Sequence, residues 1–422
     1  MPPEEFQTLA GPGGLEIQLL PTRAFKTVIL ALVVEAPLDE QRSARALVPD
    51  LLSRGTASFP DLASLGARCE ELFDTELLAT CSAAGGRQLL KLGVETVADR
   101  WVGDVPLVAQ AAELLAELVH APPLVDGRFV PEHVEQERVN LVRALRGLDD
   151  DKGSYAVRSL LATMHADTPW AHHAWGTLEA AQQLDEVSVR DAWTGLRTAF
   201  PARLFIAGDV SEAQVADVAE RLAAGATREA PSAPEPVPQR TSSEVQRQRE
   251  DQDLAQSKLA MGWRLPSELL PGAAAGMFAE IFGGSASSRL FKRVREQESL
   301  AYGCGSVALP DSGTLLVQAG LEPGTAERVE QLVGEERERL ARDGVRDAEL
   351  ELARTALRRR LLASQDRPGE RLHFRLRGLL TGRATTIDAA LEQLAAVTAS
   401  DVTELARGCA LDSVFLLEGR AS

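Results

Sequence analysis

Two runs of branched and apolar residues, Val28-Ile-Leu-Ala-Leu-Val-Val34 and Ser257-Lys-Leu-Ala-Met-Gly-Trp263, read as β-strands. Each precedes a helix, then a turn signal, Arg54-Gly-Thr56 in one case and Gly283-Gly284 in the other, then a second helix and a strand. After Gly283-Gly284-Ser-Ala-Ser-Ser-Arg289 the chain reads as an amphipathic helix from Leu290 and a strand beginning near Tyr302. Glu327 to Ala341 and Asp347 to Ala363 carry apolar residues at helical spacing, interrupted at Gly344. Strands and helices are mixed in each half, and the helices are long enough to cover one face of a sheet. The pattern predicts an α+β fold built twice.

The repeat is also visible in detail. Leu184-Asp-Glu-Val-Ser-Val-Arg-Asp191 matches Leu394-Ala-Ala-Val-Thr-Ala-Ser-Asp401, and Ser188 and Thr398 each stand three residues before an Asp, as at a capped helix start. About a dozen residues later come the short strands Leu204-Phe-Ile-Ala-Gly-Asp209 and Val414-Phe-Leu-Leu-Glu-Gly419. Between the repeats, four prolines fall in the eight residues from Pro231 to Pro238, which neither a helix nor a central strand accommodates. The expected organisation is a domain over residues 1–228, a Pro-rich linker over 229–250, and a second domain over 251–422.

At 422 residues the chain is too long for one ordinary core. Its formal charge of −17 argues against nucleic acid as a partner, because phosphate binding needs a basic surface. Arg358-Arg359-Arg360 sits among acidic helical sequence and reads as a solvated face. The four cysteines, Cys69, Cys81, Cys304 and Cys409, form no C-x-x-C and read as thiols in a reducing compartment. No basic-then-apolar leader and no run approaching a membrane span is present, so a cytoplasmic protein is expected.

Candidate chemistry is sparse. His133 and Glu137 stand four apart on a helix, as a metal pair or a solvated face. His172 and His173 are adjacent between Trp170 and Trp175, and adjacent side chains diverge, which disfavours one shared metal. Asp149-Asp-Asp-Lys152 reads as a helix end and turn, and Gly283-Gly284-Ser285 lacks the Lys of a phosphate loop. Arg295 and Tyr302, seven residues apart, read on their own as a surface salt bridge and a packed ring.

The Arg295 to Tyr302 segment, together with Leu51-Leu-Ser-Arg-Gly-Thr56, Ile206-Ala-Gly-Asp-Val210 and Asp347-Ala-Glu-Leu-Glu-Leu-Ala353, resembles the pitrilysin/insulinase (M16) zinc peptidases, specifically their bacterial M16B-type subunits. The resemblance implies two homologous domains, each a mostly antiparallel sheet covered by helices, forming half of a clamshell. It also implies that Arg295 and Tyr302 grip a peptide substrate. Active members carry H-x-x-E-H before the Gly-Thr, where two His hold zinc and the Glu activates water. Counting back from Gly55-Thr56 puts Ala46, Pro49 and Asp50 at those three positions. A methyl group cannot ligate zinc and proline carries no carboxylate. The third ligand, a Glu on a later helix, aligns with Ala144, with Glu137 at an upstream acidic position.

The resemblance therefore implies a chain without a zinc site, inactive alone, that helps bind and orient peptides. Arg295 and Tyr302 would be donated to the zinc held by an H-x-x-E-H paralogue in a heterodimer, with Arg reaching a peptide carbonyl and the Tyr hydroxyl an oxyanion. In related mitochondrial processing peptidases the non-catalytic subunit carries a glycine-rich loop nearby, which makes Gly283, Gly284 and Ser285 a candidate substrate-guiding turn. Two other readings stay open: a scaffold with no role in proteolysis, and a hydrolase with a relocated metal site. A homodimer in isolation also stays open.

Overall fold

The computed structural model describes residues 5–237, 244–270 and 272–420. Packing divides the described residues between two compact units, one drawn from Met1–Arg146, His173–Pro234 and Gln365–Arg377, the other from Gly147–His172, Glu235–Ser364 and Gly378–Ser422.

In the first unit, strands β1 (Gln7–Ala10), β2 (Glu16–Pro21), β3 (Thr27–Pro37), β4 (Glu76–Ala84), β5 (Arg87–Val97) and β8 (Ala202–Gly208) form one sheet, while β6 (Leu124–Val125) and β7 (Arg128–Phe129) form a small ribbon. The sheet order is β1-β2-β8-β3-β5-β4, and every pairing is antiparallel except β2 with β8. Strand β3 is buried from Val28 to Ala36, which explains its unbroken apolar run: a strand covered on both faces has no polar side to present.

The second unit has β9 (Gln246–Asp251), β10 (Ser257–Arg264), β11 (Ala301–Leu309), β12 (Thr314–Leu321) and β13 (Ala410–Glu418) in the order β11-β12-β10-β13-β9. Here too one pairing is parallel, β13 with β9, and it occupies the place of β2 with β8. The internal repeat is thus one topology used twice, mostly antiparallel in each copy. A core of Leu259, Met261, Phe278, Phe282, Leu290, Val294 and Leu315 packs one face of this sheet against helices. The other face takes helix Lys152–Met164, whose Ala156 and Leu160 pack on Ala260, Phe415 and Leu417. Just beyond it His165 is buried, with Nε2 3.1 Å from the Thr314 hydroxyl and Nδ1 3.3 Å from the Arg264 guanidinium. Burial, then the Arg264 charge, pushes this imidazole down to about 4, so it is neutral at physiological pH.

A reciprocal contribution serves the first unit. Arg375 donates to the Gln18 side chain at 2.9 Å and to the Thr8 hydroxyl at 3.0 Å. The described Pro-rich residues contain no helix or strand, and Arg87 holds their start by donating to the Ser232 and Ala233 carbonyls. Residues 238–243 lie outside the described residues. Residues 246–250, expected as the end of the linker, instead belong to the edge strand β9 (Gln246–Asp251). Its fully polar sequence suits an edge, where charge discourages further strand pairing.

Helix starts follow side-chain capping. Thr398 caps helix Ala399–Gly408 in a reciprocal box with Asp401, as expected. Its counterpart differs: Asp185, not Ser188, caps helix Glu186–Thr198, and Ser188 is the third residue of the box. At the far end of that helix, buried Arg228 donates to the carbonyls of Leu196, Arg197 and Phe200, satisfying acceptors that the helix itself cannot.

Candidate functional site

The stretch aligned with the zinc motif lies on helix Arg42–Leu52 of the first unit. Ala46 and Pro49 are buried in the interior of the unit, and Asp50 reaches the surface. Next to Asp50 is Glu137 on helix Pro131–Asp150, buried and bonded to Arg54 Nη1 at 2.5 Å and to Asn140 Nδ2 at 3.0 Å. Arg54 also donates to the Gln136 side chain at 2.7 Å. Partial desolvation, then the Glu137 charge, raises the Asp50 carboxyl above its ordinary range. Ala144, seven residues beyond Glu137, is solvent-exposed. The carboxylate that meets the motif helix is therefore Glu137, and its oxygen is already taken by a guanidinium.

This donor set does not fit zinc. Tetrahedral sites need neutral imidazole, thiolate or carboxylate donors converging with open lone pairs. Here a methyl group, a proline ring and an arginine stand around two carboxylates. Among the described residues no three His, Cys, Asp or Glu side chains gather as a metal site. His133 and Glu137 do not form a metal pair, since Glu137 is committed to Arg54. His173 accepts the Trp175 N–H and packs edge-on to its ring, and Asp151 caps helix Lys152–Met164, so these motifs are local structure.

The second unit's segment is built differently. Helix Ala274–Ala279 continues into a π-helical turn, Glu280–Gly284, where buried Gly283 lies against β11. A Cβ on Gly283 would come within 2.5 Å of the Ser306 nitrogen, so only glycine permits the approach. The Ser306 hydroxyl fastens the contact by donating to the Ala279 carbonyl at 2.8 Å. Gly284 and Ser285 are half-buried. A second π-helical turn, Phe291–Gln297, carries Arg295, which is exposed and stacks over the Phe291 ring at 4.6 Å.

The chain then turns through Ser299 at a φ of 55° and enters β11, which packs against that π turn. Ala301 pairs with Leu321 and Gly303 with Gly320, so Tyr302 is the extra residue of a β-bulge. Its side chain is 59% exposed. Beside the bulge a cleft of about 340 Å³ is lined by Gly303, Gly305, Gly320, Lys258 and Gln318 among others. Glycine-flanked backbone leaves room for another chain to lie close.

A family model described as the peptidase M16 inactive domain matches residues 196–357. The chain is 27% identical over 416 residues to a Bacillus subtilis protein named probable inactive metalloprotease YmfF, covering 96% of each. Its fold is that of a conserved protein from Enterococcus faecalis, with a TM-score of 0.92 at 24% identity over 99% of both chains. It also superposes on a peptidase M16 inactive domain from Pseudomonas fluorescens, with a TM-score of 0.78 at 16% identity and 99% of both chains covered.

Proposed function

We propose, from the premise that this chain belongs to the M16 peptidase family as an inactive member, that it is the non-catalytic subunit of a two-chain M16B-type peptidase. Its partner is an H-x-x-E-H paralogue that binds zinc, and together they cleave peptides. Arg295 orients the peptide through a carbonyl, and the Tyr302 hydroxyl donates to the oxyanion that develops on the scissile bond. The observation that carries this reading is the outward presentation of Tyr302 on a bulge beside a glycine-lined cleft. Gly283 takes part as a packing residue for β11, and the Gly284-Ser285 edge of the turn guides substrate.

The setting we infer is the cytoplasm. All four cysteines are free, and burial pushes the thiols of Cys81, Cys304 and Cys409 up to about 12, which leaves them protonated and inert. No helix of the described residues is long and apolar enough to cross a membrane.

The test is co-expression with an H-x-x-E-H paralogue from the same genome, followed by sizing, metal analysis and peptide cleavage. A one-to-one complex with zinc in the paralogue is expected. Tyr302→Phe should lower its turnover about 10²-fold, the usual loss for one oxyanion donor. Arg295→Ala should raise KM more than it lowers kcat. A complex that cleaves equally well with both substitutions overturns the donated-residue mechanism, and failure to associate favours a scaffold.

A further inference from the structure

The segment from Ile281 to Lys292 and the start of helix Asp347–Ala363 enclose a cavity of about 350 Å³ within the second unit. Its wall has two characters. Ile281, Leu352 and Ala353 form an apolar side, and Leu352 is 55% exposed on a helix otherwise rich in charge. Ser288, Lys292 and Arg346 form a polar, cationic side. Ser288 is only 3% exposed, and its hydroxyl has no hydrogen-bond partner. Native structures rarely leave such a group unsatisfied, and Ser288 is one of the residues lining the cavity.

The charges also leave a surplus. Burial alone would raise the Glu349 carboxyl, but hydrogen bonds from Arg346 and Arg289 hold it at about 2. Glu280 is paired with Arg360 at 2.9 Å. Both carboxylates on the wall are therefore matched by guanidiniums, while Lys292 has no ion-pair partner among the described residues. A neighbouring cavity of about 320 Å³ sets Arg289, Lys292, Arg293, Arg339 and Arg346 against Glu336, Asp343 and Glu349; Arg293 is paired with Glu298 and Arg339 with Glu336, so Lys292 supplies the unmatched positive charge.

We propose that Ser288, Lys292 and Arg346 receive the carboxylate of a peptide C-terminus while Ile281, Leu352 and Ala353 hold the apolar side chain of its last residue. A monoanion with an adjoining hydrocarbon group matches a wall that is cationic on one side and apolar on the other. This pocket rests on its own chemistry and needs no zinc-bearing partner, so its failure leaves the two-subunit reading standing, and the reverse also holds.

The experiment is calorimetric titration of the full chain with acetyl-Ala-Ala-Leu as free acid and as C-terminal amide, with decanoate and inorganic phosphate in parallel. The acid should bind at least about tenfold more tightly than the amide, as loss of a charge-assisted hydrogen bond requires. Lys292→Gln should weaken the acid severalfold with an unchanged melting temperature, and Leu352→Asp should abolish binding. Ser288→Ala should weaken the acid while leaving the amide unaffected. Equal binding of acid and amide, preference for decanoate or phosphate, or indifference to Lys292→Gln overturns the proposal.

Discussion

Helix Arg42–Leu52 and the turn Glu280–Gly284 follow corresponding strands, β3 and β10, yet they treat their polar groups in opposite ways. In the first unit Arg54 donates to Gln136 and Glu137, Glu137 also accepts from Asn140, and the ion pair is largely shielded from water. In the second unit Arg295 and Tyr302 face outward, and the backbone that presents them is irregular. Two π-helical turns, a left-handed Ser299 and a bulge occur within Glu280 to Gly303. A non-glycine residue at positive φ costs on the order of 1 kcal/mol. The first site is consumed by folding, whereas the second keeps its groups available. Such irregularities concentrate where a side chain must be aimed.

The comparison breaks most readily at Gly283. Gly283→Val would drive a methyl group into the Ser306 backbone and should cost about 3 kcal/mol, read from the denaturation midpoint. Activity of the proposed two-chain complex should fall with it, because β11 and Tyr302 are displaced. If the variant unfolds at the same denaturant concentration as the parent, the close approach of turn and strand does not position Tyr302. In the first unit Glu137→Ala should cost about 2 kcal/mol by stranding the Arg54 guanidinium, whose side chain is 17% exposed. Here the complex should keep its turnover under conditions where it stays folded. A drop in kcat without a change in stability would return the first site to a functional role.

How much of this was legible depends on the kind of signal. Strand β3 was readable because burial on both faces leaves an unbroken apolar run, β8, β10 and β13 because shorter apolar runs lie within them, and helix Asp347–Ala363 has the expected bounds. Strand β9 was not, since Gln-Arg-Gln-Arg-Glu-Asp carries no strand pattern and pairs only because β13 offers it an edge. The cap at Asp185 was misplaced by three residues because Ser188 fits the capping pattern in either role. Helix Lys152–Met164 shows an apolar face in sequence, but periodicity does not say which sheet covers it. At the site, Ala46, Pro49 and Asp50 are placed by counting back from Gly55, but that count says nothing of Arg54. An arginine directly before that glycine, with a Glu on a later helix, was the available signal. The bulge at Tyr302 depends on register with β12, which one strand's sequence does not carry.

The smallest expected effect is the most discriminating. The Asp50 carboxyl has a folded pKa above its ordinary 3.8, so the folded state holds that proton more tightly than the unfolded chain does. Stability from this group is therefore greatest in acid and falls as pH rises above 3.8 through the raised value. At neutral pH the ionised carboxylate opposes folding, and Asp50→Asn should stabilise by a few tenths of a kcal/mol, a gain that vanishes in acid. The origin of that gain can be separated by a double-mutant cycle. With Glu137 replaced by Ala, the like-charge repulsion on Asp50 is gone, and Arg54 keeps the Gln136 side chain as an acceptor. In that background Asp50→Asn should stabilise less in urea melts at pH 7, keeping only the part of the gain that comes from desolvation. If the gain is unchanged, Asp50 and Glu137 are not coupled, and the first site is a set of separate groups rather than one cluster.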